Sequence, residues 1–589
     1  MTFQFSRQGL DRREQRLERF FEILPGATSW AILLGTLLLS FVNPILAAVL
    51  VIAFDVYWLL RLFYMTFFLV ASYGRLSAER ETNWMARVHG VDELNQYLDT
   101  LDRRAAGSSL KQRLSWWIHR RELEAVKRQQ LDPPPSRSVR HVVIVPILKE
   151  RRAVIEPGIE SLAQQTFPSE QILVVLALEE RSDAAVKADV RAIQERYRDT
   201  FWDLLVVVHP DGLPNEARVK GANATYAAKA AAAYLGEHGI PFERVVVSCF
   251  DADTVVSQDY FACLTYNFLV CPERTRASFQ PIPVYHNNIW EVPAFARVLD
   301  IGASFFQLIE ATNPEKLVTF SSHSMSFRAL VDVGYWPVDL VSDDSAIFWK
   351  AFIFYDGCYR VVPLSLTVSM DVAAADTWWK TATNVYKQKR RWAWGVENFP
   401  IVMRAFLKSK TLAPSTKLTH AFKLFEGHVA WATWAFLLTV IGWLPALFAG
   451  REFSNSILYY SAPRVTTAIF QLSSLVLVTT IILSFALLPK EEMRSFPPLK
   501  KVGMVLEWLF IPVITTGLGA LPALDAQTRL MLGRYMEFWV ADKRRLPRRT
   551  PQTGAEKRPQ QDRPIVSLSE SAYDGLGCRG ERHGHEADH

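Results

Sequence analysis

Cysteine is scarce in this chain: five in 589 residues, at Cys249, Cys263, Cys271, Cys358 and Cys578. No two stand in a C-x-x-C pair, and their spacing fits no zinc site. That argues against a disulfide scaffold and a structural zinc module, and it fits free thiols in a reducing compartment. An excess of either charge is also lacking. Against 66 Lys and Arg stand 60 Asp and Glu, a net charge of +6, a balance that does not call for a nucleic-acid partner. Where basic residues cluster, they stand beside apolar stretches, a setting suited to anionic lipid headgroups. Apolar residues are plentiful: half of the chain is hydrophobic and mean hydropathy is slightly positive, which places some segments in lipid.

The stretch 29–73 is almost uninterrupted apolar sequence, with Asp55 and Arg61 as its only charges and Asn43-Pro44 as its break. It is too long for one crossing of ~30 Å of hydrocarbon and about right for two, so a helical hairpin is expected over 25–73. The 1–24 segment before it carries Arg7, Arg12, Arg13, Arg16 and Arg19. Such a flank is unlike a cleaved leader, and the positive-inside rule places it, and the soluble middle of the chain, in the cytoplasm. A second membrane block is expected over 401–546. Within it, 429–449 and 465–488 each suffice to span, and the Pro- and Gly-broken run 502–522 reads equally as a crossing or as a re-entrant hairpin. The 547–589 tail is polar and reads as disordered; its His583, His585 and His589 read as solvated.

Between the membrane blocks, 74–138 reads as amphipathic helices closed by the Pro133-Pro134-Pro135 linker. From 139 the pattern changes. Apolar strands at 141–148, 172–178, 204–208 and 244–250 alternate with helical stretches at 153–165, 183–197 and 222–234. That alternation is the mark of an α/β domain with a parallel sheet covered on both faces, here over 139–400. Ligands on such sheets sit at the carboxyl ends of the strands.

Four groups of residues past those ends carry chemistry. Asp251-Ala252-Asp253 ends a buried strand, where alternation points both carboxylates to one side, an arrangement suited to Mg²⁺ or Mn²⁺ with diphosphate oxygens completing the shell. Lys220 opens the Ala-rich helix, and a helix N-terminus beside a lysine suits a phosphate; a surface lysine and a cap read equally well. Ser342-Asp343-Asp344 offers a carboxylate base for an acceptor hydroxyl, or the cap of a helix over 345–354. In Gln388-Lys389-Arg390-Arg391-Trp392, arginine suits a diphosphate and tryptophan a sugar ring; an interfacial helix snorkelling beside the membrane fits the same residues.

These motifs, in this order, resemble the membrane-integrated family 2 glycosyltransferases, the group of the cellulose, chitin and hyaluronan synthases, over about 140–400 and the flanking helices. The resemblance implies a GT-A fold between transmembrane helices, a UDP-sugar donor, Mg²⁺ or Mn²⁺, and a growing polysaccharide as acceptor at the cytoplasmic face of the plasma (inner) membrane. It implies Asp344 as the base, with Asp343 the alternative because the family's T/E-D stands here as Ser-Asp-Asp. It implies Asp253 as metal ligand with Asp251 at the donor, Lys220 by the donor, and Glu150 near the uridine. Gln388, Arg391 and Trp392 would meet diphosphate and acceptor, and 320–324, with Ser322 and His323, would line the acceptor side. Glu179-Glu180 stands where the family has Asp-Asp, which implies Glu179 at the donor. Single-sugar transfer to a lipid-linked acceptor, a transporter with a nucleotide-binding domain, and an inactive scaffold are the competing readings.

Overall fold

The computed structural model describes residues 3–104, 109–448, 457–541 and 543; the tail, with its three histidines and Cys578, lies outside them. Helix α1 runs Arg12–Val42 and α2 runs Pro44–Glu79. The break is at Asn43, as the sequence implies: its side chain caps α2 at Leu46 and Pro44 takes a first-turn position, where it needs no N–H partner. Helix α1 starts well before its apolar stretch because Asp11 and Glu14 form a capping box.

Helices α3 (Trp84–Asp92), α4 (Leu94–Arg104) and α5 (Leu110–Arg128) follow. They are more than a membrane-surface connector. Trp84, Val88, Val91 and Leu123 are buried in the same core as one face of the central sheet, and His119 of α5 is bonded to Tyr266 of the sheet domain at 2.7 Å.

The sheet domain runs β1 (Arg140–Ile147), α6 (Arg152–Ala163), β2 (Ile172–Glu179), α7 (Ala184–Arg196), β3 (Asp203–His209), α8 (Lys220–Glu237) and β4 (Val245–Cys249). It continues with β5 (Val255–Val256), α9 (Tyr260–Val270), β6 (Ala277–Val284), α10 (Ala294–Glu310), β7 (Ser324–Ser326), α11 (Phe327–Asp332), α12 (Asp343–Phe354) and β8 (Arg360–Ser369). The strand order is β3-β2-β1-β4-β7-β6-β8-β5. Its first four strands are parallel, as their unbroken apolar sequence predicts. Along β1, Val143, Val145 and Ile147 join one core while Val142 and Ile144 join the other, the period-two alternation of a strand buried on both faces.

The sheet is mixed rather than parallel throughout. β7 pairs antiparallel with both β4 and β6. It begins two residues after Ser322, whose φ of +60° turns the backbone through the left-handed region before the three-residue strand. Such a conformation costs a non-glycine residue about 1–3 kcal/mol, and here hydrogen bonds described below hold it.

Three C-terminal helices complete the region around the sheet: α13 (Trp378–Ala393), α14 (Asn398–Lys408) and α15 (Pro414–Thr439). The expected span 429–449 is not one helix. α15 begins fifteen residues earlier and ends at Thr439, with 3₁₀ and short helical turns at Ile441–Trp443 and Leu444–Leu447; Pro445, which has no N–H to give, sits in the first turn of the latter. Among the described residues, three helices are long and apolar enough to cross a membrane by length and composition: Arg12–Val42, Pro44–Glu79 and the run Pro498–Met531. Helix Ile457–Leu487 is also apolar over Gln471–Leu487. Two of the charges in these helices have partners. Arg61 of α2 pairs with Glu426 of α15, while Arg19 donates to the carbonyl of Leu530 at 2.9 Å, closing the C-terminus of helix Leu521–Met531. Gly26 lies where an added Cβ would meet the carbonyl oxygen of Gln527 at 2.9 Å, so α1 and that helix are in backbone contact.

Candidate active site

Helix α8 begins at Lys220, and the next residue must be glycine. A Cβ on Gly221 would lie 2.4 Å from the carbonyl oxygen of Pro337 and 2.9 Å from Cβ of Asp343. This close approach brings the first turn of α8 against the first turn of α12. The Lys220 ammonium lies 2.8 Å from Asp251 Oδ1 and 3.0 Å from Asp344 Oδ1. One buried cation therefore joins the D-x-D segment to the paired acids some ninety residues downstream.

The two carboxylates of Asp251-Ala252-Asp253 do not point the same way. β4 ends at Cys249, and a turn closed by Thr254 N–H to the Asp251 carbonyl (2.9 Å) replaces strand alternation. Asp251 faces Lys220 and accepts from the Ser321 hydroxyl. Asp253, 1 % exposed, accepts from the Asp371 N–H at 2.8 Å, and its other oxygen lies 2.5 Å from the Lys543 ammonium. The strained Ser322 supports this turn from beneath: its hydroxyl is hydrogen bonded with Thr254 Oγ1 at 2.7 Å and accepts from Asp251 N–H at 3.3 Å. His323 is buried, with Nδ1 2.9 Å from the Phe320 carbonyl oxygen and 3.9 Å from Asp344; burial pushes its pKa down.

The electrostatics divide the acids. Burial works to raise Asp251, but the Lys220 and Lys543 ammoniums overcome it and hold the carboxyl below the usual range. Burial works to lower Lys220, and Asp251, Asp344 and Asp343 overcome it, so its pKa is well above the ordinary value. Asp343, 3 % exposed, is pushed up to about 8 by burial and then by the neighbouring Asp344, and its Oδ2 is buried without a hydrogen-bond partner. The Asp344 side chain is 25 % exposed.

A stability consequence follows. With its folded pKa near 8 and its ordinary value at 3.8, Asp343 binds its proton more tightly in the native state. Its contribution to stability is full below the ordinary value and is lost as pH rises toward 8. Asp343→Asn is expected to flatten the decline of Tm between pH 4 and 8 in detergent-solubilised protein. A decline of the same slope in the variant would refute the assignment.

The helix that carries Gln388–Trp392 is fixed by a buried ion pair. Lys389, 4 % exposed, lies 2.5 Å from Asp300 of α10, 2 % exposed, and its ammonium stands 3.7 Å from the Trp392 ring centre. Breaking such a pair by removing one partner costs about 3–5 kcal/mol. Trp392 also faces Tyr285, with ring centroids 6.0 Å apart. Arg391 lies over Phe538 at 5.1 Å and within electrostatic reach of Asp343. Gln388 is buried with its Oε1 unbonded.

Two of the expected donor residues are engaged locally. Glu150 accepts from the backbone N–H groups of Leu148 and Lys149 at 2.9 and 3.0 Å. Glu179 accepts from Arg181 at 2.9 Å and lies 4.0 Å from His209. Lys220, Asp251, Asp343, Asp344 and His323, in contrast, form one cluster. Sequence reading missed Lys543, Asp371 and Glu397. Lys543 stands in a basic run that reads as a membrane flank, Asp371 follows a strand end with no motif to mark it, and Glu397 lies in helical sequence where an acid is unremarked.

The tests for a divalent ion are local. Among the described residues no group of three or more His, Cys, Asp or Glu gathers to hold a metal unaided. Asp253 nonetheless already receives a cation, the Lys543 ammonium, and a carboxylate with phosphate oxygens is a donor set suited to Mg²⁺ or Mn²⁺.

Comparison with known proteins gives the following. Residues 246–488 match the family model described as Glycosyl transferase family group 2. The poly-beta-1,6-N-acetyl-D-glucosamine synthase of Staphylococcus epidermidis is 26% identical over 252 residues, which are 41% of this chain and 53% of that protein. The synthase of the same name from Staphylococcus aureus (strain COL) is 27% identical over 184 residues, 30% of this chain and 39% of its own. This chain thus spans about half the length of the first of these relatives and less of the second. Among solved structures, the mannosyltransferase PcManGT of Pyrobaculum calidifontis, in complex with GDP-Man and Mn²⁺, aligns with a TM-score of 0.38 at 16% identity, over 72% of this chain and 99% of that one. TarS 1-349 of S. aureus with UDP-GlcNAc aligns at 0.32 and 14% identity, over 69% and 95%.

Proposed function

We propose that this chain, whose residues 246–488 match the family 2 glycosyltransferase model and which carries apolar helices on both sides of its sheet domain, transfers a sugar, with inversion, from a UDP-sugar to a growing polysaccharide at the cytoplasmic face of the plasma (inner) membrane. The observation that carries the reading is the contrast between the paired acids. Asp343 is sealed, and burial together with the neighbouring Asp344 pushes its pKa up, toward the protonated form. Asp344 is open to an incoming acceptor on one side and held by Lys220 on the other.

In the proposed step, the acceptor hydroxyl oxygen bonds to the anomeric carbon as that carbon's bond to the diphosphate oxygen breaks. The hydroxyl proton passes to the Asp344 carboxylate, and UDP departs with the bonding electrons. Lys220 and Arg391 supply positive charge where the diphosphate becomes more negative. Trp392, braced by Lys389 and Tyr285, offers its face to the acceptor sugar. Asp253, with Asp251, would hold Mg²⁺ or Mn²⁺, and the ion supplies further charge against the leaving diphosphate. Glu150 and Glu179 are proposed to lie toward the nucleoside, and Ser322 and His323 toward the acceptor.

Purified protein in lipid discs, given a panel of UDP-sugars with Mn²⁺ or Mg²⁺, is expected to release UDP from one donor and to build product that can be sized. A product longer than one added sugar supports polymer synthesis. A single addition to a lipid carrier selects the alternative acceptor. Silence with every donor, alongside donor binding too weak for calorimetry, overturns the reading.

A further inference from the structure

The N-terminal segment is built into the floor of the candidate site. Glu397, 1 % exposed, lies between α13 and α14 and accepts four hydrogen bonds. Its Oε1 receives the backbone N–H of Ser342 at 2.8 Å and the Ser342 hydroxyl at 2.7 Å. Its Oε2 receives the Trp394 indole N–H at 2.8 Å and Arg7 Nη2 at 2.9 Å. Ser342 is the residue before α12, next to Asp343 and Asp344, yet its hydroxyl does not cap that helix; it is given to Glu397. A buried carboxylate with four donors is an electrostatic anchor, and such a charge is stable there only while its cation is present.

The cation arrives from 390 residues away in the chain. Arg7 is 17 % exposed and is steered by its neighbours. The Ser6 hydroxyl donates to Asp339 at 2.6 Å, the Ser6 carbonyl accepts from Arg404 at 2.8 Å, and Arg404 in turn pairs with Glu18 of α1. These contacts fall on both sides of the Ser342–Asp344 turn.

We infer that Arg7 and Glu397 are positioning residues for the candidate base: the docked N-terminal segment sets Ser342, and through it the reactive orientation of Asp344. The inference rests on the reading of Asp344 as the base. Misplacing a catalytic group by about 1 Å costs on the order of 100-fold in rate. Arg7→Met is therefore expected to lower kcat about 10- to 100-fold, while UDP affinity by calorimetry stays within about twofold, since Lys220 and Asp251 are not in contact with this pair.

Three further readings separate positioning from general damage. Guanidinium ions at millimolar concentration should restore part of the turnover of Arg7→Ala, because the vacated position is lined by an anion. Ser342→Ala in the Arg7→Met background should cost less than it does alone, because both act through Glu397. Glu397→Gln added to Arg7→Ala should abolish the guanidinium response. Additive losses, equal losses in kcat and UDP affinity, or full activity of Arg7→Met would each overturn the inference. Asp344→Asn run alongside keeps the two claims apart: if it retains turnover, the base assignment fails; if it is inactive and Arg7→Met is normal, only the positioning role fails.

Discussion

Asp344→Asn is expected to abolish sugar transfer and leave donor binding nearly intact. The acceptor proton then has no carboxylate to receive it, and general-base contributions amount to about 10²–10⁴ in rate. Lys220 stays tied to Asp251 in the variant, and the amide oxygen remains an acceptor for its ammonium, so the donor side should survive. UDP release in lipid discs, with UDP affinity measured by calorimetry on the same sample, separates the two effects. Asp343→Asn is the matched control. Since Asp343 is buried, with its pKa pushed up toward the neutral form, the amide should preserve most activity. Normal turnover in Asp344→Asn, or loss confined to Asp343→Asn, would move the base to the other acid.

Asp253→Ala is expected to remove the dependence of donor binding on Mn²⁺. Its carboxylate is held by the Asp371 N–H on one oxygen and faces a cation on the other, so its geometry is set before any ligand arrives. Removing it leaves the Lys543 ammonium without the partner that raises its pKa against burial. Titrating UDP-sugar with and without Mn²⁺ should give two curves for the parent chain and one for the variant. Asp253→Asn, which keeps the acceptor for Asp371 N–H, guards against loss of fold. Two separated curves in both variants would reject the metal role.

Much of this architecture is readable from local pattern. The strands β1, β2 and β4 are continuous apolar runs buried on both faces, and the Ala-rich α8 declares itself by composition. The hairpin break at Asn43-Pro44 follows from a cap and a proline. What escapes local reading is whatever depends on a distant partner. The reversal at β7 hangs on Ser322, a serine in a conformation that no composition rule assigns to it. The carboxylates of the D-x-D segment diverge because a turn intervenes where alternation was expected. The burial of Lys389 depends on Asp300, which lies in an otherwise ordinary amphipathic helix. The docking of residues 3–9 is invisible in sequence for the same reason: their partners are hundreds of residues away.

That separation has a consequence for the timing of assembly. At about 5–20 residues per second on the ribosome, roughly 20–80 s pass between the making of Arg7 and that of Glu397. The helices α1 and α2 are complete early in that interval, while Ser6, Arg7 and Glu18 must wait in water for Asp339, Glu397 and Arg404. A nascent chain can therefore form its β1–β4 sheet and still lack a set acid pair until α14 emerges. The Ser342–Asp344 turn is among the last parts of the sheet domain to be finished, long after the apolar helices α1 and α2 have been made.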